Sequence, residues 1–435
     1  MVNGRILDPG LWQQGQDKID WAARFMPVTR SLCGQLAESG LLRGKKIALV
    51  LVLEPKTANL ALELAKAGAD VSVMCHASST RDDTAAALDR AGVTVFSRTD
   101  ATTAMDHAFA LDLLDQRPDI LVDDGSSITR LAHTDRPAAL ETMIGATEET
   151  TSGLRPLRVM QAAGELRIPV LAANDALCKT LFDNGYGTGQ STVLTMLDLL
   201  GSPLAGRNVV IAGYGYVGRG VAREVAALGG RVTIAEVDPV KALEAAFAGF
   251  RVDALARAAR TADLLISATG IAHTIDVEHL LALPEGAAVA VSGGVDQEIA
   301  LDAVLAAGAT RHPAAALVER FALPNGRNIL ILDDGGCINC TAGEGNPIEI
   351  MDLAFGVQTA AIEHLLTHGA GLANAVHLLP ASVDDRVARA KLAAMGARLD
   401  VPSRAQQEFL GGWRSTNPRL SAESSVAASI TGARS

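Results

Sequence analysis

Short apolar runs alternate along the first half of the chain with segments that carry apolar residues at helical spacing. The run KIALVLVL (Lys46–Leu53) precedes TANLALELAKAG (Thr57–Gly68), which has the spacing of a helix and ends in glycine. Further runs follow at ADVSVM, VTVFS and DILVDDG, separated by helix-like segments such as DDTAAALDRAG. Strands that alternate with helices of this length are typical of a parallel sheet with right-handed crossovers. The pattern therefore predicts an α/β domain.

A second series of the same kind begins after GSPLAG (Gly201–Gly206), a predicted linker. Its predicted strands are NVVIAG, RVTIAE, DLLISATG and AAVAVSGG, and a long amphipathic helix is predicted at Pro347–Leu366. After about Leu410 the chain is rich in serine, alanine, glycine and arginine, which predicts a mobile tail. The predicted fold class is α/β, with two doubly wound domains and a C-terminal extension.

Composition and charge exclude several classes of protein. The 435 residues are 49% hydrophobic, which excludes extensive disorder. With 38 Lys and Arg against 49 Asp and Glu, the net charge of −11 argues against nucleic-acid and anionic-membrane partners. No apolar run approaches the ~20 residues of a spanning helix, and the N-terminus has no apolar signal core. Five scattered cysteines predict reduced thiols and, with these observations, a cytoplasmic location.

A glycine-rich turn follows the predicted strand NVVIA and opens the next predicted helix. Its pattern G-Y-G-Y-V-G contains Gly213, Gly215 and Gly218. The first glycine permits a tight turn, the second lets the backbone approach a pyrophosphate, and the third allows close packing of helix on strand. The helix N-terminus, with Tyr216 and Val217, offers free N–H groups to the phosphates. The pattern predicts a dinucleotide site, with an ordinary tight turn as the alternative.

Two further segments support the dinucleotide site. Glu236 ends the next predicted strand, where a carboxylate accepts hydrogen bonds from the ribose hydroxyls and repels a 2′-phosphate. This favours NAD over NADP. The segment SATG, with Thr269 and Gly270, ends a later strand, and strand ends face the ligand in such sheets.

Most of the polar candidate chemistry lies in one short stretch, NDALCKTLFDNGYGTGQ. It holds Asn174, Lys179, Asp183 and Asn184 directly after the predicted strand IPVLAA. Lys179 and Asp183 are four residues apart and meet on one face if the segment is helical. A surface ion pair beside a helix cap is the simpler interpretation. The stretch lies at the junction of the two predicted domains, however, and clefts between domains are preferred ligand sites.

These segments resemble a known family. NDALCKTLFDN, GATEETTSG, LVDDG, AGYGYVGRG and AEVDP are similar to segments of the S-adenosyl-L-homocysteine hydrolase family in collinear order, up to about residue 400. The resemblance implies a tightly bound NAD that oxidises the 3′-hydroxyl of a nucleoside. The C4′ hydrogen then becomes acidic, because its carbanion is an enolate that positioned donors stabilise. The 5′ substituent leaves by β-elimination, and in the hydrolase water adds at C5′ before the ketone is reduced.

The resemblance also implies a domain layout and an assembly. The substrate-binding domain would comprise residues 1–185 and 347–385, the Rossmann NAD-binding domain residues 186–346, and a C-terminal tail residues 386–435. Because the family is typically tetrameric, a homo-oligomer is expected, and the small-molecule partner is a nucleoside.

Residue roles follow from the same resemblance. Lys179 would assist removal of the 3′-hydroxyl proton, and Asp183 and Glu149 would hydrogen-bond the ribose hydroxyls. Asp124 would lie near C4′ and C5′, and Asn184 by the nicotinamide. The residues expected to contact the cofactor further include Thr150, Thr151, Ser152 and Asn339.

The sequence departs from the family at several of its functional positions. The family has histidine where this chain has Val52, Gly294 and Asn346, and it has threonine and glutamate where this chain has Glu54 and Lys56. Its C-terminal Lys…Tyr-Arg-Tyr element is not recognisable in the tail. Loss of an acid–base group costs about 10²–10⁴ in rate. The residues for 3′-oxidation are thus kept, while the part that handles the 5′ leaving group and the base is rebuilt.

Glu54 and Lys56 each have two interpretations. Glu54 could accept a hydrogen bond from an exocyclic amine or serve as a new acid–base group. Lys56 could pair with Glu54, or contact a hydroxyl or an anionic group.

Three functions are compatible with this pattern. The first is a lyase that eliminates the 5′ substituent, water among the candidates, from an adenine nucleoside and leaves a 4′,5′-unsaturated product. The second is an S-adenosyl-L-homocysteine hydrolase that forms adenosine and homocysteine. The third is a non-catalytic regulator that binds NAD and a nucleoside, although retention of Lys179 and Asp183 speaks against it.

Other candidate sites are weaker, and no metal site is predicted. Cys337 and Cys340 form a single CxxC without a second pair of ligands. His364 and His368 are four residues apart near the end of the long predicted helix, where interaction with the helix C-terminus is the expected role. Adjacent carboxylates at positions 123 and 124 point to opposite faces of a strand, so at most one enters the cleft.

Overall fold

A computed structural model describes residues 4–294 and 297–412. The residues up to Lys391 form one compact unit, and a second unit begins at Leu392. The divergent tail, including the expected Lys…Tyr-Arg-Tyr position, lies outside the described residues from position 413 onward.

The first sheet has seven parallel strands in the order β15-β6-β5-β4-β1-β2-β3. The predicted strand at Lys46–Leu53 ends early, at Val50, and Leu53 forms an isolated bridge to Thr80. The strands are β1 Lys46–Val50, β2 Asp70–Met74, β3 Thr94–Phe96, β4 Ile120–Asp123, β5 Gly145–Glu148, β6 Val170–Ala172 and β15 Val376–Leu378.

Helices connect these strands, as the alternating pattern predicts. The predicted helix Thr57–Gly68 begins earlier, at Pro55, because proline suits the first helical turn, and ends at Lys66 before Gly68 with φ of +106°. The helices up to the second sheet are α1 Trp12–Ala23, α2 Pro27–Ser39, α3 Pro55–Lys66, α4 Asp82–Arg90, α5 Thr103–Asp115, α6 Ser127–Thr134, α7 Thr151–Ala162, α8 Leu177–Lys179, a π-helix Thr180–Gly187, and α9 Thr188–Leu200.

The second sheet has eight strands in the order β12-β13-β14-β11-β10-β7-β8-β9, and an antiparallel β12–β13–β14 meander extends its parallel part. The fold class is therefore confirmed as α/β with two doubly wound sheets, whereas the domain limits remain a prediction. The strands are β7 Asn208–Ala212, β8 Arg231–Ala235, β9 Arg251–Val252, β10 Leu264–Ser267, β11 Ala288–Val291, β12 Thr310–Ala315, β13 Val318–Ala322 and β14 Asn328–Leu332.

The remaining helices follow in chain order. They are α10 Tyr216–Ala227, α11 Pro239–Phe247, α12 Leu255–Ala258, α13 Val277–Ala282, α14 Leu301–Ala306, α15 Ile338–Thr341, α16 Ile348–His368, α17 Ala381–Ala394 and α18 Arg404–Gly411. Shorter 3₁₀ turns lie at Pro9–Leu11, Ala77–Ser79, Pro137–Glu141, Ala173–Asp175, Ala259–Thr261, Asp333–Gly335 and Gly369–Gly371. Over the described residues, no helix is both long enough and apolar enough to cross a membrane.

Helix α16 differs from its prediction. It was expected to be amphipathic, yet every residue from Asp352 to Ile362 is buried, so its central turns have no solvent-facing side. It contacts α2 and the π-helix and packs along β5. Polar residues in this stretch, such as Gln358, must therefore find partners inside the protein.

Candidate active site

The carboxyl ends of adjacent strands in the first sheet converge on one polar cluster. Asp124 follows β4, Glu149 follows β5, and Asn174 follows β6. Because β4, β5 and β6 are parallel neighbours, their ends meet at one edge of the sheet. The structure thus brings together residues that the sequence separates by a strand and a helix each.

Lys179 is the cation of this cluster. Its Nζ lies 2.5 Å from Asp183 Oδ2 and 3.5 Å from Glu149 Oε1, and it donates a hydrogen bond of 2.7 Å to Asn184 Oδ1. The side chain of Lys179 is only 3% exposed and that of Asp183 7%. The pair meets across one helical turn, as the spacing predicts, but it is buried, so the surface ion-pair interpretation is wrong.

An amide chain continues from Lys179 toward α7. Asn184 Nδ2 donates to Asn174 Oδ1 at 2.9 Å, and the Thr151 hydroxyl donates to the same oxygen at 3.2 Å. Since Asn184 Oδ1 faces the lysine, its amide orientation is determined by the network. Asn184 and Thr151 are both expected to contact the cofactor. They are connected beside Lys179 through their shared acceptor, Asn174 Oδ1.

Burial and charge shift the pKa values of the cluster in opposite directions. Burial lowers the pKa of Lys179, but Asp183, Glu149 and Asp124 outweigh it and raise that pKa above its usual value. Burial raises the pKa of Glu149 to about 7 and that of Asp124 to about 6, despite the opposing charge of Lys179. Both carboxyl groups can therefore exchange a proton near neutral pH.

The two neighbouring acids have separate structural roles. Asp123 accepts hydrogen bonds of 2.7 Å from both the N–H and the hydroxyl of Thr129 at the start of α6. Glu148 accepts from Gly125 N at 2.8 Å and from Thr150 N at 2.9 Å. Asp123 and Asp124 thus point to different surroundings, in agreement with their alternation on a strand. Thr150 is held by this backbone contact beside the cluster.

The three positions at which the family has histidine carry no titratable group here. Asn346 Nδ2 donates to the Asp183 carboxylate and, at 3.1 Å, to Thr188 Oγ1. Asn346 Oδ1 accepts from Ser191 Oγ at 2.8 Å. A Cβ on Gly294 would lie 1.6 Å from an oxygen of the buried Glu298, whose carboxylate occupies that space. Val52, at the third of these positions, is half-buried and apolar.

Glu54 and Lys56 form a buried ion pair, one of the two interpretations open for Lys56. Lys56 Nζ lies 2.7 Å from Glu54 Oε2 and donates to the carbonyls of Glu344 and Asn346 at 2.8 Å each. Burial raises the pKa of Glu54 to about 7, against the effect of Lys56. The pair binds the backbone of the segment that carries Asn346 and has no described contact with Lys179. Glu54 is therefore linked to the Lys179 cluster only indirectly, through Lys56 and Asn346.

The glycine-rich turn has the geometry of a dinucleotide cradle. Gly213 follows β7 with φ of +95°, and a Cβ on Gly218 would lie 2.1 Å from Gly213 O. A Cβ on Gly215, in contrast, would meet no atom within 4 Å in the described part of the chain. Gly215 is the N-cap of α10, so the first N–H groups of Tyr216 and Val217 have no capping side chain. This open helix terminus fits the pyrophosphate of NAD.

Glu236 lies beside the cradle at the end of β8. Its carboxylate accepts from Tyr214 N and Val237 N at 2.7 Å and from Asp238 N at 3.0 Å. These bonds fix its orientation next to the turn. The location is that expected for an acid that binds ribose hydroxyls.

We expect replacement of Glu236 by glutamine to reduce the preference for NAD over NADP. The amide lacks the charge that repels a 2′-phosphate, and a hydrogen bond to a charged group contributes about 1.5–3 kcal/mol, so the preference should fall by about tenfold or more. Equilibrium binding of both dinucleotides to cofactor-free protein measures the change. Glu244→Gln, which removes a nearby surface acid paired with Arg219, is the control. An unchanged preference would contradict the role of Glu236.

The other expected cofactor contacts surround this cradle from both sheets. A Cβ on Gly213 would lie 3.0 Å from Thr269 Cγ2, and one on Gly270 3.8 Å from Ser152 Cβ. Asn339 Oδ1 accepts from Gly293 N at 3.2 Å. Residues that follow strands of the first sheet and of the second sheet therefore line the cleft between the two sheets.

The thiols and paired histidines form no metal centre in the part of the chain that the structure describes. All five cysteines are free, as predicted, and Asn339 lies between Cys337 and Cys340 and contacts both sulfurs, at 2.9 and 3.2 Å. The rings of His364 and His368 stack with centroids 4.6 Å apart. Burial and His368 lower the pKa of His364, which favours a neutral ring, and the interaction with the helix C-terminus remains a prediction.

The sequence did not single out two residues that organise the site. Gln358, fully buried on α16, contacts Thr147 and Glu149. Arg81 donates to Gly343 O at 2.5 Å and so supports the segment before Asn346. An isolated amide in an apolar helix was the available signal for Gln358, because a buried amide must be hydrogen-bonded.

Comparisons with known proteins show the family to which the chain belongs. The family model described as S-adenosyl-L-homocysteine hydrolase matches residues 4–140, and the model of that family's NAD binding domain matches residues 184–345. An adenosylhomocysteinase of Thermotoga maritima is 39% identical over 92% of this chain and 99% of its own. An S-inosyl-L-homocysteine hydrolase of Methanopyrus kandleri is 39% identical over 94% of this chain and 97% of its own. The chain therefore belongs to the S-adenosyl-L-homocysteine hydrolase family and is an NAD-dependent enzyme of that family.

Proposed function

We propose that the protein is a nucleoside lyase that uses NAD as an internal redox cofactor. It oxidises the 3′-hydroxyl of an adenine nucleoside, removes the C4′ proton, eliminates the 5′ substituent and reduces C3′ again. The proposed leaving group is water, which makes the enzyme a dehydratase. The observation that carries this proposal is the buried Lys179 between two carboxylates, in a site where three family histidines are absent.

The gap between Lys179 and Glu149 suits a sugar hydroxyl. Glu149 Oε1 is buried and accepts no hydrogen bond from the described residues, and it lies 3.5 Å from Lys179 Nζ. A hydroxyl oxygen about 2.8 Å from both atoms would accept from the ammonium and donate to the carboxylate. The hydroxyl proton then moves to Glu149 Oε1, whose pKa of about 7 lets it hold a proton near neutrality.

NAD, when bound, accepts hydride from the sugar carbon and later returns it. Lys179 keeps its hydrogen bond to the same sugar oxygen and stabilises the negative charge that develops there when the C4′ proton leaves. The Asp124 carboxylate, with a pKa of about 6, accepts that proton. Protonated Asp124 then donates it to the departing 5′-hydroxyl, so that one water leaves and Asp124 is ionised again.

The groups around the 5′ end favour elimination over hydrolysis. At the family histidine positions, Val52 and Gly294 have no proton to exchange, and Asn346 is held in bonds to Asp183, Thr188 and Ser191. Activation of a water for addition at C5′ needs a general base. Ionised Asp124 can itself activate the released water for the reverse addition, so we propose that C3′ is reduced before water adds back, which leaves the unsaturated nucleoside as the end product.

We expect incubation with adenine nucleosides in deuterated water to label C4′ of recovered substrate and to form a product lighter by one water. Mass spectrometry and proton NMR measure both. An Asp124→Asn variant keeps the size of the side chain but cannot accept the proton, so the label should be lost. NAD-loaded protein that neither exchanges C4′ nor forms an unsaturated product with any adenine nucleoside would contradict the proposal.

Authentic hydrolysis is the second candidate, because the similar proteins bear the names adenosylhomocysteinase and S-inosyl-L-homocysteine hydrolase. It predicts release of homocysteine from S-adenosyl- or S-inosyl-homocysteine, which a thiol reagent detects. Release at a rate above that of C4′ exchange in free nucleosides would favour hydrolysis.

We also propose a cytoplasmic homo-oligomer, on the basis of the free thiols and of the family resemblance. Sedimentation of the NAD-loaded protein measures its oligomeric state.

A further inference from the structure

Two neutral amides flank the two carboxylates that face Lys179. Gln358 Nε2 donates to Glu149 Oε2, and Asn346 Nδ2 donates to Asp183 Oδ1. In each carboxylate the amide binds the oxygen remote from the lysine. The other oxygens, Glu149 Oε1 and Asp183 Oδ2, are the ones that lie 3.5 and 2.5 Å from Lys179 Nζ.

The orientation of the Gln358 amide is determined by a second contact. The Thr147 hydroxyl donates to Gln358 Oε1 at 2.6 Å, which leaves Nε2 to face Glu149. Thr147 and Gln358 are both fully buried, so water cannot replace either bond. A flipped amide would direct its oxygen at the carboxylate and would be tolerated only if Glu149 were protonated.

Asn346 is held from both ends in a similar way. Its Oδ1 accepts from Ser191 Oγ at 2.8 Å, so its Nδ2 faces Asp183 and, at 3.1 Å, Thr188 Oγ1. Its own backbone carbonyl accepts from Lys56 Nζ at 2.8 Å. The segment that carries Asn346 therefore has little freedom to turn the amide away.

We propose that Gln358 and Asn346 are positioning residues that direct one oxygen of each carboxylate toward Lys179, and that the Gln358 amide favours the ionised form of Glu149. The inference rests on the proposed function for its catalytic meaning, but the ionisation it describes belongs to the protein without substrate. An amide neither gains nor loses a proton between pH 5 and 9, so both amides remain donors over that range.

The charged groups that face Glu149 come from several elements. They are Lys179 at the end of α8, Asp183 in the π-helix and Asp124 after β4. Lys179 favours the ionised form of Glu149, and both aspartates oppose it. A donor that binds the carboxylate directly also favours ionisation, and Gln358 supplies it.

We expect Gln358→Met to raise the pKa of Glu149 by roughly one pH unit, because the ionised form loses a hydrogen bond to its charge. The variant keeps the chain length and has no amide. Carbon-13 NMR of labelled glutamate, assigned with Glu149→Gln, measures that pKa without substrate. The acid limb of the pH–rate profile should move upward by a similar amount, as it should in Asn346→Asp, where two carboxylates would face each other.

Two further variants separate positioning from a merely structural role. Thr147→Val removes the contact that orients the Gln358 amide and should move the pKa of Glu149 in the same direction by less. Thr359→Val, a neighbouring buried change whose hydroxyl bonds only Phe355 O and Cys33 Sγ among the described residues, should leave both the pKa and the pH profile unchanged.

The outcomes distinguish this inference from the proposed function. An unchanged Glu149 pKa in Gln358→Met, with a lower melting temperature alone, would overturn the positioning role whatever the reaction is. A shifted pKa in a protein that releases homocysteine would retain the positioning role and refute the lyase.

Discussion

Replacement of Lys179 by methionine is expected to reduce turnover by about 10²–10⁴ while the protein still binds NAD and nucleoside. Lys179 Nζ is the only cation described within 4 Å of Asp183 and Glu149, and it would contact the reacting sugar oxygen. Methionine has a similar length but no charge or donor. Steady-state product formation measures the first effect, and equilibrium binding of NAD and nucleoside the second.

The same variant should also be less stable at neutral pH. Breaking a buried ion pair costs about 3–5 kcal/mol when the remaining charge stays ionised, and protonation of Glu149, whose pKa burial raises to about 7, reduces that cost. Thermal unfolding at pH 5 and pH 8 should therefore show a smaller loss at the lower pH. Lys66→Met, at a lysine whose side chain is 74% exposed, is the matched control and should change neither property.

Lys179 also separates the enzyme from a regulator. A regulator would bind nucleoside without turnover in the native protein, and Lys179→Met would leave its binding function largely intact. Native protein that binds NAD and nucleosides but converts none of them would therefore contradict the catalytic role of the Lys179 cluster.

Local patterns accounted for most of the fold. Apolar runs predicted β1–β4 and β6 of the first sheet and β7, β8, β10 and β11 of the second, because residues close in sequence determine these elements. They did not predict β5, β9, β15 or the antiparallel meander β12–β14. They could not show that α16 is buried all round, since burial from Asp352 to Ile362 depends on α2, β5 and the π-helix packing against it. The first strand ends at Val50, opposite Met74 and Asp123, where its neighbours β2 and β4 also end, and these partners come from elsewhere in the chain.

The contacts of the candidate site were likewise predictable only where the residues are close in sequence. The Lys179–Asp183 pair spans four residues, so its spacing predicts that the two side chains meet. The bond from Gln358 to Glu149 joins residues 209 positions apart, and that from Asn346 to Asp183 joins residues 163 apart. Such contacts depend on the packing of α16 and its preceding segment, which no local pattern contains. The family resemblance identified Asn346 as a departure but not the partners it gained.

Substitution of Gly218 by alanine is expected to weaken NAD binding by about 10- to 100-fold and to lower the stability of the fold. A Cβ there would lie 2.1 Å from Gly213 O and 3.8 Å from the Ala268 side chain, so the backbone of the turn has to move. Overpacking of this kind costs about 1–3 kcal/mol, which corresponds to the stated change in affinity. Calorimetric titration of cofactor-free protein with NAD, with thermal unfolding, measures both effects.

Gly215→Ala distinguishes the cradle from a purely structural turn, because its Cβ would enter space in which the described residues have no atom within 4 Å. The unfolding temperature should therefore fall much less than in Gly218→Ala, by the small cost of alanine at an N-cap, while NAD binding weakens, since the added methyl group occupies the approach of the pyrophosphate. Gly34→Ala, a helical position with the same open surroundings in the described structure, should leave NAD binding unchanged and raise the unfolding temperature slightly, because alanine favours a helix over glycine. Full NAD affinity in Gly215→Ala would mean that the pyrophosphate does not approach the backbone at this turn, and the cofactor would then have to bind elsewhere in the cleft.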